Sequence, residues 1–252
     1  MCLQEKIIFT SDLAIIDADC KKDDVIVLLK GRGENIVRLN GNLILTSPTG
    51  HSKIRFTKAH FCLLNDLTLS FYKLTGEFVS KCDVGNDLYE LFPYREGILC
   101  IYGDEGVFGE KIGKNRLNYA SPFQKPDSYH GVAVQNNLLY EALFARYKPH
   151  ACLSFKTNEL LFLNDQLERE KTMEVPFETG NVLAFALTHE FGVFIEENKL
   201  KLWGFETTGH VLEYPGTFSH NTRAIFHRHE FLFLAVSDHE VRSFKPLANI
   251  YP

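Results

Sequence analysis

The sequence predicts an all-β fold: a six-bladed β-propeller of four-stranded blades, closed by the N-terminal strand. Three observations carry that expectation. Similar segments return about every 40 residues, a period that with strand-like runs alone marks a propeller. Three of them set a histidine just before an apolar run, at His60-Phe61-Cys62-Leu63-Leu64, His189-Glu190-Phe191-Gly192-Val193-Phe194 and His229-Glu230-Phe231-Leu232-Phe233. Composition agrees, since 45% of residues are hydrophobic and 13% aromatic, with 21 Phe and 10 Tyr, which suit a pleated, half-buried surface.

The first strands of the blades set the frame. Leu88-Tyr89-Glu90-Leu91-Phe92 aligns with Leu139-Tyr140-Glu141-Ala142-Leu143-Phe144. Leu13–Ile16, Ile54–Phe56, Val182–Ala186 and Thr222–Phe226 fill the same slot. Blades therefore start near 13, 53, 88, 139, 182 and 222 within one domain over 1–252. Second strands follow at Val25–Leu29, Phe61–Leu64, Ile98–Tyr102, Ala151–Phe155, Phe191–Ile195 and Phe231–Val236. Third strands are read at Leu69–Tyr72, Leu200–Trp203 and Val241–Phe244, each with an aliphatic residue three places before an aromatic. Leu43–Thr46, Glu77–Cys82, Glu170–Val175 and His210–Tyr214 are more polar, as outer strands facing water should be.

Two places depart from the repeat. After Phe244 the last blade has no fourth strand, and Glu5–Thr10 precedes the first blade without a partner. Pairing the two closes the ring and removes an open edge. The 51-residue interval between the third and fourth starts marks an insertion within 114–137. It offers two strand-like segments, Arg116–Ala120 and Gly131–Gln135, of which one is needed as a fourth strand. Its proline- and polar-rich part, Lys114–Ser128, reads as an excursion from the ring that folding does not require. Leu138–Tyr147 can be drawn as a short amphipathic helix, but its match to Leu88–Phe92 favours a strand.

Leu200-Lys201-Leu202-Trp203 before Gly204, and Leu69-Ser70-Phe71-Tyr72 before Lys73, resemble the third strand of the WD40-type propeller repeat. The chain departs from that family at its most specific position. The aspartate expected after the aromatic residue is Gly204, Lys73 or Lys245. The resemblance therefore implies a β-propeller with degenerate WD40-like repeats and no narrower kinship.

Charge and cysteine usage exclude several classes. A net charge of −5 and a sequence pI near 6.1 disfavour nucleic acid as a partner. No apolar run approaches the ~18 residues of a membrane span, and no secretory apolar core follows Met1. Cys2, Cys20, Cys62, Cys82, Cys100 and Cys152 are scattered without a CxxC pair. They read as reduced thiols of a cytoplasmic protein.

Candidate chemistry is sparse. His60, His189 and His229 recur in turns between first and second strands, at equivalent places around the rim, so they suit packing rather than one shared ion. Asp23-Asp24 and Glu196-Glu197 are adjacent pairs whose side chains diverge, which makes solvated turns and no acid–base couple. Gly103-Asp104-Glu105-Gly106 reads as a hairpin turn. There is no GxSxG elbow, HExxH or Gly-rich phosphate loop, so no catalytic residue, metal ligand or cofactor is assigned. Asn86, Asn137, Asn181 and Asn221 each precede a first strand, with Asp87, His220 and Arg223 beside them. Such residues make side-chain turns. The propeller resemblance also implies that they ring the mouth of the central channel, where they would bind a ligand.

Two functions follow as expectations. The first is a non-enzymatic protein–protein interaction module, an inhibitor or immunity-type binding protein among them, with another protein as partner and neither nucleic acid nor membrane. The second is a small propeller hydrolase, lactonase or lyase acting at the channel mouth, for which the resemblance implies carboxylates or histidines gathered from several first strands.

Overall fold

Short strands of four to eight residues, rich in apolar side chains and cut by tight turns, build the described part of this chain. The computed structural model describes residues 3–102, 117–128, 142–145, 150–154, 157–164, 166–187, 190–205, 211–218, 222–227 and 230–246. Among them are strands and turns and no helix. None therefore offers a helix long and apolar enough to cross a membrane.

Strand β1 (Leu3–Thr10) precedes the first blade. Blade 1 holds β2 (Ile15–Lys21), β3 (Asp24–Lys30), β4 (Glu34–Leu39) and β5 (Asn42–Pro48). Blade 2 holds β6 (His51–Phe56), β7 (His60–Asn65), β8 (Thr68–Lys73) and β9 (Phe78–Asp83). Blade 3 holds β10 (Leu88–Tyr94), β11 (Gly97–Tyr102), β12 (Leu117–Ser121) and β13 (Gln124–Ser128). Blade 4 holds β14 (Ala142–Ala145), β15 (His150–Ser154), β16 (Glu159–Leu163) and β17 (Arg169–Glu174). Blade 5 holds β18 (Ala184–Leu187), β19 (Phe191–Ile195), β20 (Lys199–Gly204) and β21 (Val211–Pro215). Blade 6 holds β22 (Arg223–His227), β23 (Glu230–Val236) and β24 (Glu240–Pro246). Its order is β1-β24-β23-β22, so the N-terminal strand is the outermost strand of the last blade. The chain is thus a six-bladed β-propeller of four-stranded antiparallel sheets.

The stretch read as an excursion needs correcting. Residues 117–128 of it form the β12–β13 hairpin of blade 3, with Ile98 opposite Ala120 and Asn118 opposite Ser128. β12 coincides with the strand-like Arg116–Ala120 but is the third strand of its blade, not the fourth; it carries Asn118 in the core, where Tyr102 hydrogen-bonds its side chain. Gly131–Gln135 and Gly103–Gly106 lie outside the described residues, as does most of Leu138–Tyr147, whose residues 142–145 are strand.

Turn chemistry fixes register locally. Asn40 and Gly41, both with positive φ (50° and 82°), join β4 to β5 in a two-residue turn whose twist matches the flanking strands. Asn40 also accepts the Val25 N–H at 2.8 Å and donates to Asp24 at 2.8 Å, which ties this turn to the start of β3.

Contacts divide the chain into two compact units. In the unit of blades 1–3, one core joins Ile26, Leu28 and Val37 of blade 1 to Ile54, Phe61 and Leu63 of blade 2. A second joins Cys62, Leu69 and Phe71 to Leu91, Ile98 and Cys100 of blade 3. One face of blade 2 carries an aromatic ladder outward: Phe61 stacks on Tyr72 at 5.3 Å, and Tyr72 meets Phe78 edge-on at 5.7 Å. In the unit of blades 4–6, Phe185, Phe194 and Trp203 pack with Ala151, Leu153 and Leu160. Val193, Ile195 and Leu200 pack with Phe233 and Phe244. Burial pushes the Cys62, Cys100 and Cys152 thiols well up, and Cys82 up to about 11, as expected for core cysteines.

Deleting Met1–Thr10 leaves β24 as an open edge beside buried Val241 and Phe244. Exposing either side chain costs about 1.5–3 kcal/mol, so a clear drop in melting temperature is expected. An unchanged melting temperature would count against closure by β1.

Candidate functional site

The innermost strand of a blade has a ladder partner on one side only, so backbone N–H groups on its other edge need acceptors from elsewhere. In blades 1–3 side-chain charges supply them. Asp17 and Asp19 are two residues apart on β2 and share a face. Both are buried, Asp19 completely at 0% exposure. Asp17 accepts from the Ile54 N–H at 2.9 Å and Asp19 from the Phe56 N–H at 2.8 Å, both on β6 of the next blade. Their other oxygens accept the N–H groups of Ala18 and Cys20, each at 2.9 Å.

Arg55, 2% exposed, lies between those two backbone contacts and reaches both neighbours. Its Nη1 donates to Asp17 Oδ2 and, at 2.6 Å, to the Ile54 carbonyl. Its Nη2 donates to Glu90 Oε1 on β10 at 2.8 Å, and its Nε to the Leu91 carbonyl at 3.3 Å. Glu90 Oε1 also accepts the Leu91 N–H at 2.8 Å, and Lys53 Nζ lies 3.9 Å from Glu90 Oε2. Burial alone would lower the guanidinium pKa. Asp17, Glu90 and Asp19 outweigh it and hold the pKa above its ordinary value. Donors and acceptors here already meet one another, so the cluster works as a lock between blades.

The turns after the inner strands repeat the device. Lys21 Nζ donates to the Thr57 carbonyl at 2.7 Å and to that of Lys58, while Lys58 Nζ meets Glu96 Oε1 at 2.6 Å. In the other unit a different turn is tied down, the one between β15 and β16: Asn158 Nδ2 donates to the Val175 and Phe177 carbonyls, both at 2.9 Å, and its Oδ1 accepts the Thr179 N–H at 3.0 Å. One reading of the adjacent carboxylates changes here. Glu196 is no solvated turn residue: it is buried and ion-paired with buried Lys201, whose Nζ also lies 4.3 Å over the Phe177 ring. Glu197 is exposed.

The residues singled out from sequence fall as follows. Asn86 and Asp87 are exposed on the connector from β9 to β10, where the Gly85 N–H donates to Asp83 Oδ1 at 3.0 Å. Asp87 holds a left-handed φ of 55°. Asn181 is exposed in the turn closed by the Val182 N–H on the Thr179 carbonyl at 3.0 Å. Among the described residues the Asn86 and Asn181 amides have no hydrogen-bond partner. Arg223 opens β22, half-buried and opposite Leu234. Asn137, His220 and Asn221 lie outside the described residues, as do His189 and His229. His60 opens β7, its carbonyl accepts the Thr57 N–H at 2.8 Å, and its ring meets Phe123 edge-on at 5.9 Å. Among the described residues no three His, Cys, Asp or Glu side chains gather as a metal site.

Sequence reasoning missed Asp17, Asp19, Arg55 and Glu90. The signal was a charged residue between apolar neighbours in first strand after first strand, since an interior charge must find a partner.

No family model matches the chain, and its sequence matches no curated protein. Its fold does have solved counterparts. Virginiamycin B lyase from Staphylococcus aureus superposes with a TM-score of 0.54 at 11% identity, over 98% of this chain and 99% of that one. Kluyveromyces lactis Hsv2 superposes with a TM-score of 0.54 at 11% identity, over 95% of each chain. The AfRom2 CNH domain superposes with a TM-score of 0.50 at 12% identity, over 97% of this chain and all of that one. At these identities the similarity shows the propeller fold.

The lock and a nearby histidine give measurable outcomes. Arg55→Ala removes the cation from Asp17 and Glu90 and should cost about 3–5 kcal/mol in a denaturant titration, whereas Arg242→Ala, on an exposed ion pair, should cost under about 1. Equal costs would show that the lock carries no special weight. His51 Nδ1 lies 3.2 Å from the Pro48 carbonyl and 3.3 Å from Ser47 Oγ. Burial lowers its pKa below the ordinary 6.5 despite that carbonyl. The neutral ring's stabilisation is thus complete above pH 6.5 and is lost as pH falls through the lowered folded-state value. Thermal melts from pH 7.5 to about 5 should show a smaller loss for His51→Gln than for the unaltered protein. Parallel curves would clear His51 of that role.

Proposed function

We propose that this propeller is a non-enzymatic module that binds another protein, as an inhibitor or immunity-type protein would. The observation that carries this reading is a contrast between two sets of polar groups. Asp17, Asp19, Arg55 and Glu90 are consumed by bonds to one another and to backbone, which suits a scaffold. Asn86 and Asn181 stand exposed with amides that have no partner among the described residues. An amide both donates and accepts hydrogen bonds but moves no proton near neutral pH, so it fits recognition rather than acid–base work. Connectors on a rigid scaffold are also where binding specificity is carried. The proposed contact residues are Asn86 and Asp87 in one unit and, in the other, Asn181 and Arg223 with Asn137, His220 and Asn221. The same reading places the protein in the cytoplasm, with reduced thiols. The free Cys20, Cys62, Cys82, Cys100 and Cys152 support it.

The test compares affinity capture of a partner by the unaltered chain and by Asn86→Ala/Asp87→Asn/Asn181→Ala. Asparagine tolerates the left-handed backbone at position 87, so the fold should keep its melting temperature. Each lost contact to a charged group is worth about 1.5–3 kcal/mol, so affinity should fall at least tenfold. Undiminished capture would move the interface to another surface. Stoichiometric Ca2+ or Zn2+ in protein purified without added metal would overturn the reading in favour of a hydrolase, lactonase or lyase.

A further inference from the structure

Blade 6 takes its outer strand from the opposite end of the chain, and that strand is held lightly. None of the side chains from Gln4 to Thr10 is buried, and Ile7 is 50% exposed. Side-chain ties between β1 and β24 are few among the described residues: Arg242 Nη1 meets Glu5 Oε1 at 2.7 Å, and Ser243 Oγ donates to the Lys6 carbonyl at 3.4 Å. Beneath β1 the case is opposite. Val241, Ser243 and Phe244 are buried, so β24 requires a neighbour. What it requires is a backbone edge carrying an anion opposite Arg242, a demand any copy of β1 meets as well as its own.

The connector makes an exchange between copies geometrically direct. Ser11–Ala14 is only four residues long, and its ends are pinned. The Ser11 N–H donates to the His239 carbonyl at 3.0 Å, the Leu13 N–H to Ser11 Oγ at 3.0 Å, and the Ile15 N–H to the Asp238 carbonyl at 2.7 Å. The strand thus leaves from a fixed point beside the start of β24. Opening at Thr10–Ser11 redirects β1 outward without disturbing β2, and exchange of an identical element is a low-cost route to a dimer. The same contacts reform between molecules, so a closed two-fold dimer gains no new interface and loses none.

We infer that a second copy of this chain is a partner of blade 6, through reciprocal exchange of β1 onto β24. This assignment is independent of the binding function proposed above. The dimer and the monomer then differ only in which copy supplies the strand, and their ratio is set by protein concentration during folding.

A charge-reversal pair tests it. Glu5→Arg leaves two cations facing one another on a chain, and Arg242→Glu leaves two carboxylates. Only exchange between the two variants restores opposite charges at both junctions. The full chain and both variants are refolded from denaturant over a hundredfold range of concentration and sized by light scattering. The unaltered chain should give a dimer fraction that rises with refolding concentration and persists after dilution. An equimolar mixture of the variants should give dimers holding one chain of each, several-fold above either variant alone. Excess peptide spanning Leu3–Thr10 during refolding should suppress the dimer. This arm still decides the matter if one variant fails to fold alone. Monomer at every concentration would overturn the inference, as would a dimer indifferent to the peptide or equally abundant in mixture and single variants.

Discussion

Arg55 bonds three inner strands that have no backbone ladder between them. It reaches Asp17 on β2 and Glu90 on β10 while sitting on β6, and Asp17 and Asp19 take the N–H groups that flank it. Without those carboxylates the inner edge of β6 would bury two donors with no acceptor, a cost comparable to losing the bonds outright. Buried ion pairs are weak contributors to net stability, because desolvation offsets most of their attraction. Their effect here is on placement. Apolar cores such as Leu63 against Val37 are indifferent to a slip between blades, whereas a guanidinium committed to two carboxylates and two carbonyls accepts one alignment.

Much of the fold is legible in the sequence because the propeller repeats one decision six times. Where a strand is apolar on one face, as at Phe61–Leu64 or Leu200–Trp203, the pattern finds it. Where the core accepts a polar residue, the pattern fails. Asn118 sits buried in β12 with Tyr102 hydrogen-bonded to its side chain, and the hairpin it belongs to reads as a polar excursion until that partner is known. Pro126 reinforces the error, although an outer strand tolerates a missing N–H. Glu196 and Glu197 read as a pair of solvated turn residues, yet in the turn after β19 Glu196 is buried on Lys201 and Glu197 lies in water.

The candidate site was less legible, and for a different reason. Residue type marks Asn86 and Asn181 as connector residues, but a turn-forming asparagine and one available to a ligand have the same sequence. Only the absence of a partner among the described residues separates them. The lock has the reverse difficulty. A charge between apolar residues is visible at Asp17, Arg55 and Glu90, but partners 35 to 38 residues apart cannot be matched without knowing which strands abut. Charge on the inner strands of blades 1–3 therefore marks framework, and uncharged amides at the connectors mark the more open chemistry.

The bonds between blades 1, 2 and 3 also have a direction along the chain. Asp17, Asp19 and Lys21 of blade 1 hold backbone groups of blade 2. Arg55 and Lys58 of blade 2 hold Glu90, Leu91 and Glu96 of blade 3. A ribosome delivers blades in that same order, N-terminal first. Each emerging blade meets side chains already positioned on its predecessor, so the growing polypeptide carries its own template. Blade 6 breaks the rule: its outer strand is synthesised first and used last, so the N-terminal segment must wait through the production of all six blades.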